Sequence, residues 1–144
     1  MKKQTLFRIA IAILILSFER LPASAQVVEP ALSFQIPFEF QANGKLLPAG
    51  RYVVKHSPRM PLLISIQSRE RNVQLYLNIA PSGLLDQSIQ SSLIFKKYGE
   101  NYFLSEMKLQ GSEFGYTLLK TKDERRMAQV AEVTTIHQAP GTSR

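Results

Sequence analysis

The 144-residue chain contains no cysteine. That excludes disulfides and a lipid-modified N-terminal cysteine, and it removes one ligand type from any metal site. Tryptophan is also absent, and histidine occurs only as His56 and His137, 81 positions apart. A zinc site needs several nitrogen, sulfur or carboxylate ligands converging at about 2 Å, so His56 reads as an ordinary strand histidine and no metal is expected. HExxH, GxSxG and GxGxxG do not occur, and nothing in the pattern implies a cofactor.

A hydrophobic run long enough to span a bilayer is missing as well. The apolar run IAIAILILSF covers Ile9 to Phe18, behind Lys2, Lys3 and Arg8 and ahead of Glu19 and Arg20. As a helix it rises about 15 Å, half of the roughly 30 Å of bilayer hydrocarbon. A basic start, a short apolar helix and the small residues of Pro22-Ala23-Ser24-Ala25 make the layout of a secretory signal peptide, with cleavage expected after Ala25. The expected organisation is a signal peptide over 1–25, one domain over 26–137 and a flexible tail over 138–144. The destination is the periplasm or the exterior, with no transmembrane anchor after cleavage.

Net charge shrinks once that signal is set aside. Removing Lys2, Lys3, Arg8, Arg20 and Glu19 takes 18 basic and 11 acidic residues to 14 and 10, and the formal charge from +7 to +4. A modest positive excess weakly favours partners such as an envelope protein, an acidic glycan or another anionic surface, but a solvated surface is the favoured explanation of it. Lys96-Lys97 and Arg125-Arg126 are isolated pairs without interleaved aromatic repeats, so no nucleic-acid binding is expected. LPAGR lacks the threonine of an LPxTG wall-anchoring signal.

What is present is strand periodicity. In LSFQIPFEF, Leu32, Phe34, Ile36, Phe38 and Phe40 occupy alternate positions, which predicts a half-buried strand. Pro37 has no backbone donor, so this strand lies at an edge or breaks there. NGKLLPAGRYVV follows, with Asn43-Gly44 predicting a positive-φ turn and Pro48-Ala49-Gly50 a type II turn with positive φ near its end. Arg51 to His56 puts Tyr52, Val54 and His56 on one face. LLISIQS and VQLYLNI flank a charged turn and predict a hairpin, as do SLIFKKY and YFLSEMKL around Gly99. Tyr116 to Leu119 is a further strand, and Val133 to His137 a last strand or a fraying extension. Thr121 and Glu124 fit a capping box opening a short helix that packs Met127, Val130 and Ala131 on the sheet. Ala80 to Gln90 shows no period and reads as the longest connection, where function is sought first. The predicted fold is all-β, an antiparallel β-sandwich or small barrel of six or seven strands with one short late helix.

Several groups carry candidate chemistry. Ser105 and Lys108 match SxxK, but that chemistry needs a helical turn to bring amine and hydroxyl together, whereas YFLSEMKL is a strand. Glu100, Glu106, Glu113, Asp123 and Glu124 offer carboxylates for acid–base hydrolysis, which requires two of them at a fixed separation in a cleft. Tyr76, Tyr98, Tyr102 and Tyr116 fall on different strands and are the ligand-binding candidates, since a tyrosine-lined sheet face suits flat or sugar-like ligands.

Taken in order, IPFEF, NGKLLPAGRYVV, SSLIFKKYGENYFLSEM and GYTLLKTKDERRMA resemble a family of short exported proteins found mostly in soil acidobacteria, over about residues 32–130. The resemblance implies export and a single β domain, and it transfers no catalytic residue. The PAG-x-Tyr corner alone is similar to corners in transthyretin-like surface modules. The reading that follows is an exported, non-enzymatic binding or envelope-associated module. The alternatives are a small-ligand carrier with a barrel cavity and a small carboxylate-dependent hydrolase or lyase.

Overall fold

The computed structural model describes residues 31–56, 59–68, 70–86 and 88–141. The expected signal peptide with its cleavage point and the last three residues of the tail lie outside them. Among the described residues ten strands and one helix form: β1 (Ala31–Ile36), β2 (Phe40–Ala42), β3 (Lys45–Leu47), β4 (Gly50–His56), β5 (Leu63–Ser68), β6 (Val73–Leu84), β7 (Ser92–Tyr98), β8 (Asn101–Lys108), β9 (Phe114–Leu118), α1 (Lys122–Val130) and β10 (Val133–Gln138). The strands make one mixed, largely antiparallel sheet in the order β1-β4-β5-β6-β9-β8-β2-β3, with β7 also on β8 and β10 on β7. The parallel pairing is β2 with β8, at Gln41 and Phe103. The all-β expectation holds at this level.

Two sequence features raise the strand number above six or seven. Pro37 breaks LSFQIPFEF in two, and the break is a change of direction: β1 pairs with β4 at one end of the strand order, while β2 pairs with β3 and β8 near the other. The corner after it contains a strand of its own. Asn43 (φ 50°) and Gly44 (φ 76°) form a two-residue turn between Ala42 and Lys45, both at positive φ as a type I′ hairpin demands, and β3 follows. Leu47 is fully buried while Leu46 stays exposed.

The second half of the corner departs from expectation. No residue from Pro48 to Gly50 has positive φ, so the predicted type II geometry is absent. Gly50 leaves room for Arg71 instead: a Cβ there would lie 3.3 Å from Arg71 Nε and 3.4 Å from Arg71 Cγ, close enough that the arginine would have to shift. The Arg71 Nε–H donates to the Ala49 carbonyl oxygen at 3.1 Å. A side chain from the β5–β6 turn therefore closes a corner 22 residues away.

Core packing follows the alternation. Phe34, Ile36, Phe40, Leu47, Tyr52, Val54, Ile64, Ile66, Leu77, Leu93, Phe95, Leu104 and Met107 form one buried cluster. Phe40 of β2 joins its parts, with ring centroids 5.3 Å from both Tyr52 on β4 and Phe95 on β7. Those strands are far apart in the sheet order, so their inner faces meet across the core. Full burial of such a side chain stabilises by about 1.5–3 kcal/mol.

A single extra residue corrects the phase of β8. Phe95 pairs with Leu104 but Ile94 pairs with Glu106, leaving Ser105 as a bulge. Leu104 and Met107, three positions apart, can thereby both enter the core. Ser105 is buried, and among the described residues no hydrogen bond joins it to Lys108, so the SxxK pair is not assembled. On β7, the residues alternating with Phe95 and Leu93 face the opposite side. Ile94, Tyr98 and the cross-strand Phe103 are buried there outside the main cluster, with the Tyr98 and Phe103 rings 5.7 Å apart.

α1 lies against this second face. Thr121 caps it, its hydroxyl accepting from the Glu124 N–H at 3.2 Å. The predicted packing face needs rotation: Val130 is 83 % exposed, and the inward residues are Glu124 and, in part, Met127 and Ala131. Those three are spaced i, i+3, i+7 and share one helical stripe, which excludes Val130. The segment Val133–Gln138 is a full strand, paired along β7. Beyond it the Gly141 N–H donates to Ser33 O of β1 at 2.9 Å.

The expected long connection is shorter than its composition suggested. β6 runs on through Leu84, pairing with β9 across an irregular step between Pro81 and Leu84, and Gly83 takes φ 128° in that step. Pro81 and Gly83 erased the alternating signal without ending the strand.

Candidate functional site

The turn between β8 and β9 is fixed from three sides. Gly111 adopts φ 82°, and the Ser112 N–H donates to Leu109 O at 3.0 Å. The Gln110 N–H donates to the buried Ser91 Oγ at 2.8 Å, and the Leu85 N–H donates to Glu113 O at 2.9 Å. Gly115 lets β9 approach the β6 irregularity, where a Cβ would sit 2.7 Å from Ser82 Oγ. A cleft opens on each side of this turn.

The first cleft, of about 600 Å³, is lined by Leu85, Asp86 and Ile89 of the β6–β7 connection and by Leu109 to Glu113. Asp86 accepts from the Ser88 N–H at 3.0 Å, and that bond with the Ser88 side chain holds its carboxyl below the usual range. A carboxylate kept ionised in this way is a poor proton donor.

The second cleft, of about 520 Å³, has walls of Leu32, Val54, Leu109, Phe114 and the rings of His56 and Tyr116, with Ser112 and Glu113 at its turn side. The two rings lie 5.0 Å apart at a 44° tilt. Proton placement is determined by the acceptors. Ser112 Oγ donates to Phe114 O at 3.0 Å, so in its 2.7 Å bond with Tyr116 the phenol is the donor. His56 Nε2 lies 3.0 Å from the Pro61 carbonyl, which only accepts, so Nε2 carries the hydrogen. Among the described residues no hydrogen bond joins Ser112 to His56 or to a carboxylate, and the imidazole is held by backbone through Nε2. The arrangement suits recognition of a largely apolar molecule by shape, with a few oriented polar atoms, rather than nucleophilic attack.

The four candidate tyrosines occupy four different settings. Tyr116 is in the cleft. Tyr76 is 53 % exposed on the outer face of β6, its hydroxyl accepting from Gln74 Nε2 at 2.9 Å. Tyr102 stacks on Phe38 at 4.1 Å, with Lys97 Nζ 5.2 Å from its ring centroid. Tyr98 is buried against Phe103 on the α1 side. The carboxylates are similarly dispersed. Glu100 sits in the β7–β8 turn near Lys97, Glu106 lies within β8 beyond the bulge, Asp123 pairs with Arg126 at 3.0 Å, and Glu113 alone of the five lines the clefts. Among the described residues no group of three His, Cys, Asp or Glu is placed to hold a metal ion.

Among the described residues Glu124 is the one buried carboxyl. Its Oε1 has no hydrogen-bond partner, and burial raises its pKa against the opposing pull of Lys120 and Lys96, the Tyr98 hydroxyl and the Thr121 backbone. Tyr98 is raised in turn, first by burial and then by Glu124.

Sequence reading missed Leu32, Val54, Ser112 and Phe114 as site residues, because three segments distant in the chain supply them. The turn glycine Gly111 and the unpatterned stretch around Asp86 were the available signals. Comparison of this chain with protein-family models, curated proteins and solved structures gives no match. Among the described residues no helix is long and apolar enough to cross a membrane.

Proposed function

We propose that the protein is an exported, non-enzymatic binding module that holds a small, mostly apolar ligand in the His56–Tyr116 cleft. The carrying observation is the cleft itself: four apolar side chains and the two rings of His56 and Tyr116 around about 520 Å³, with the Ser112, Tyr116 and His56 hydrogens already committed. Sites of this size and lining are typical of small-molecule binding. Export is supported by the N-terminal charge and hydropathy pattern, and by the resemblance to short exported acidobacterial proteins. The fold in this proposal is a sandwich-like doubling of the sheet. Supporting it are the contacts of Phe40 with Tyr52 and Phe95 and the bond from Gly141 to Ser33. The ligand lies at the end of a filled core rather than inside a barrel.

Titration with the apolar fluorophore N-phenyl-1-naphthylamine tests this. Saturable binding is expected, weakened about tenfold by Phe114→Ser, which withdraws one apolar wall. No saturable binding, or unchanged affinity in a Phe114→Ser protein of unchanged Tm, refutes the proposal.

A further inference from the structure

We infer that the outer face of β1, β4, β5 and β6 binds an acidic polysaccharide. Strands β1, β4, β5, β6 and β9 contain no aspartate or glutamate at all. Their outward positions carry two cations, Arg51 and Lys55, together with amides, hydroxyls and the apolar Ala31, Val53 and Leu63. An uncovered antiparallel face is ordinarily solvated by charges of both signs, and among the described residues of these strands one sign is missing. The nearest strand carboxylate on this side is Glu106 of β8, reached from Ala80 through Thr117, and Glu70 lies in the turn at the sheet's end.

Register places the remaining groups in rows. Lys55, Ser65 and Tyr76 stand side by side across three strands, and Gln67 and Gln74 form the neighbouring row next to Val53. Arg51 stands opposite Gln35. Two strand spacings, about 10 Å, separate Lys55 from Tyr76. The Tyr76 ring, 53 % exposed, is oriented by the Gln74 amide donating to its hydroxyl at 2.9 Å, so little freedom remains to be lost on binding. An aromatic ring stacks on the C–H face of a sugar, amides and hydroxyls pair with its hydroxyls, and the cations pair with uronate carboxylates. Among the described residues the helix leaves this face open, because α1 lies against Tyr98 of β7. This surface is separate from the His56–Tyr116 cleft.

The test is isothermal titration of the purified full chain with galacturonate oligomers, with neutral gluco-oligomers and anionic lipid vesicles as comparisons. Binding to galacturonate is expected, weakened about tenfold by Tyr76→Ala and again by Arg51→Gln with Lys55→Gln. It should also fall as ionic strength rises. Phe114→Ser, at the cleft, should leave it unchanged, so this inference and the cleft proposal fail separately. Equal affinity for neutral oligomers overturns it. So does retained affinity in Tyr76→Ala with unchanged Tm, or a preference for the vesicles.

Discussion

The Tyr52 hydroxyl donates to the Pro48 carbonyl oxygen at 2.6 Å, four residues back along the chain. Tyr52 is fully buried, so the bond closes the corner from inside, where water cannot replace it. The PAG-x-Tyr spacing is thus a physical device: the proline carbonyl and the ring must be four residues apart to meet across the turn. Tyrosine corners of β-sandwiches use the same return bond. Tyr52→Phe should cost about 1 kcal/mol and lower Tm by several degrees, read by thermal melting. An unchanged Tm refutes a structural role for this bond.

Arg71 and Gly50 form a coupled pair. Gly50→Val should lower Tm by forcing Arg71 off Ala49. In an Arg71→Ala background the three atoms nearest that Cβ are gone, and the cost should shrink. A double-mutant cycle measures this, with a coupling of about 0.5–3 kcal/mol expected. Strict additivity would show that the glycine answers some other constraint.

Glu124 gives a pH dependence whose sign is fixed. Burial raises its folded pKa above the ordinary 4.5. The folded chain therefore holds this proton more tightly than the unfolded one. From 4.5 up to the raised value folding takes up protons, and stability falls as pH rises. Glu124→Gln keeps the shape and removes the buried charge. Melting curves across that window should show the decline in the parent flattened in the variant, with the two converging below pH 4.5. Parallel curves would show that Glu124 ionises without penalty.

Alternation made most strands legible, since Phe34 and Ile36, or Leu75 and Leu77, differ from their neighbours by side-chain polarity alone. Asn43-Gly44 and Thr121 were legible because their chemistry is local. Gly50 was misread, since a glycine demanded by a side chain 21 positions away carries the same letter as one demanded by φ. The Ser105 bulge was invisible for a related reason: Leu104, Met107 and Leu109 lie on both parities, and only the partner strand shows which residue is surplus. The cleft needed Leu32, Val54 and Phe114 together, and nothing local in the chain links them.

The detour at Pro37 also governs when the fold can be completed. β1 and β2 are adjacent in the chain, yet β2 docks on β8 at Phe103, 62 residues later than Gln41. A chain delivered N-terminus first must keep Phe40 and the Asn43-Gly44 hairpin waiting until β7 and β8 have been made. Contacts of such long sequence separation slow folding. The β2 segment thus stays without its β8 partner until Phe103 has been delivered, and needs shielding until then.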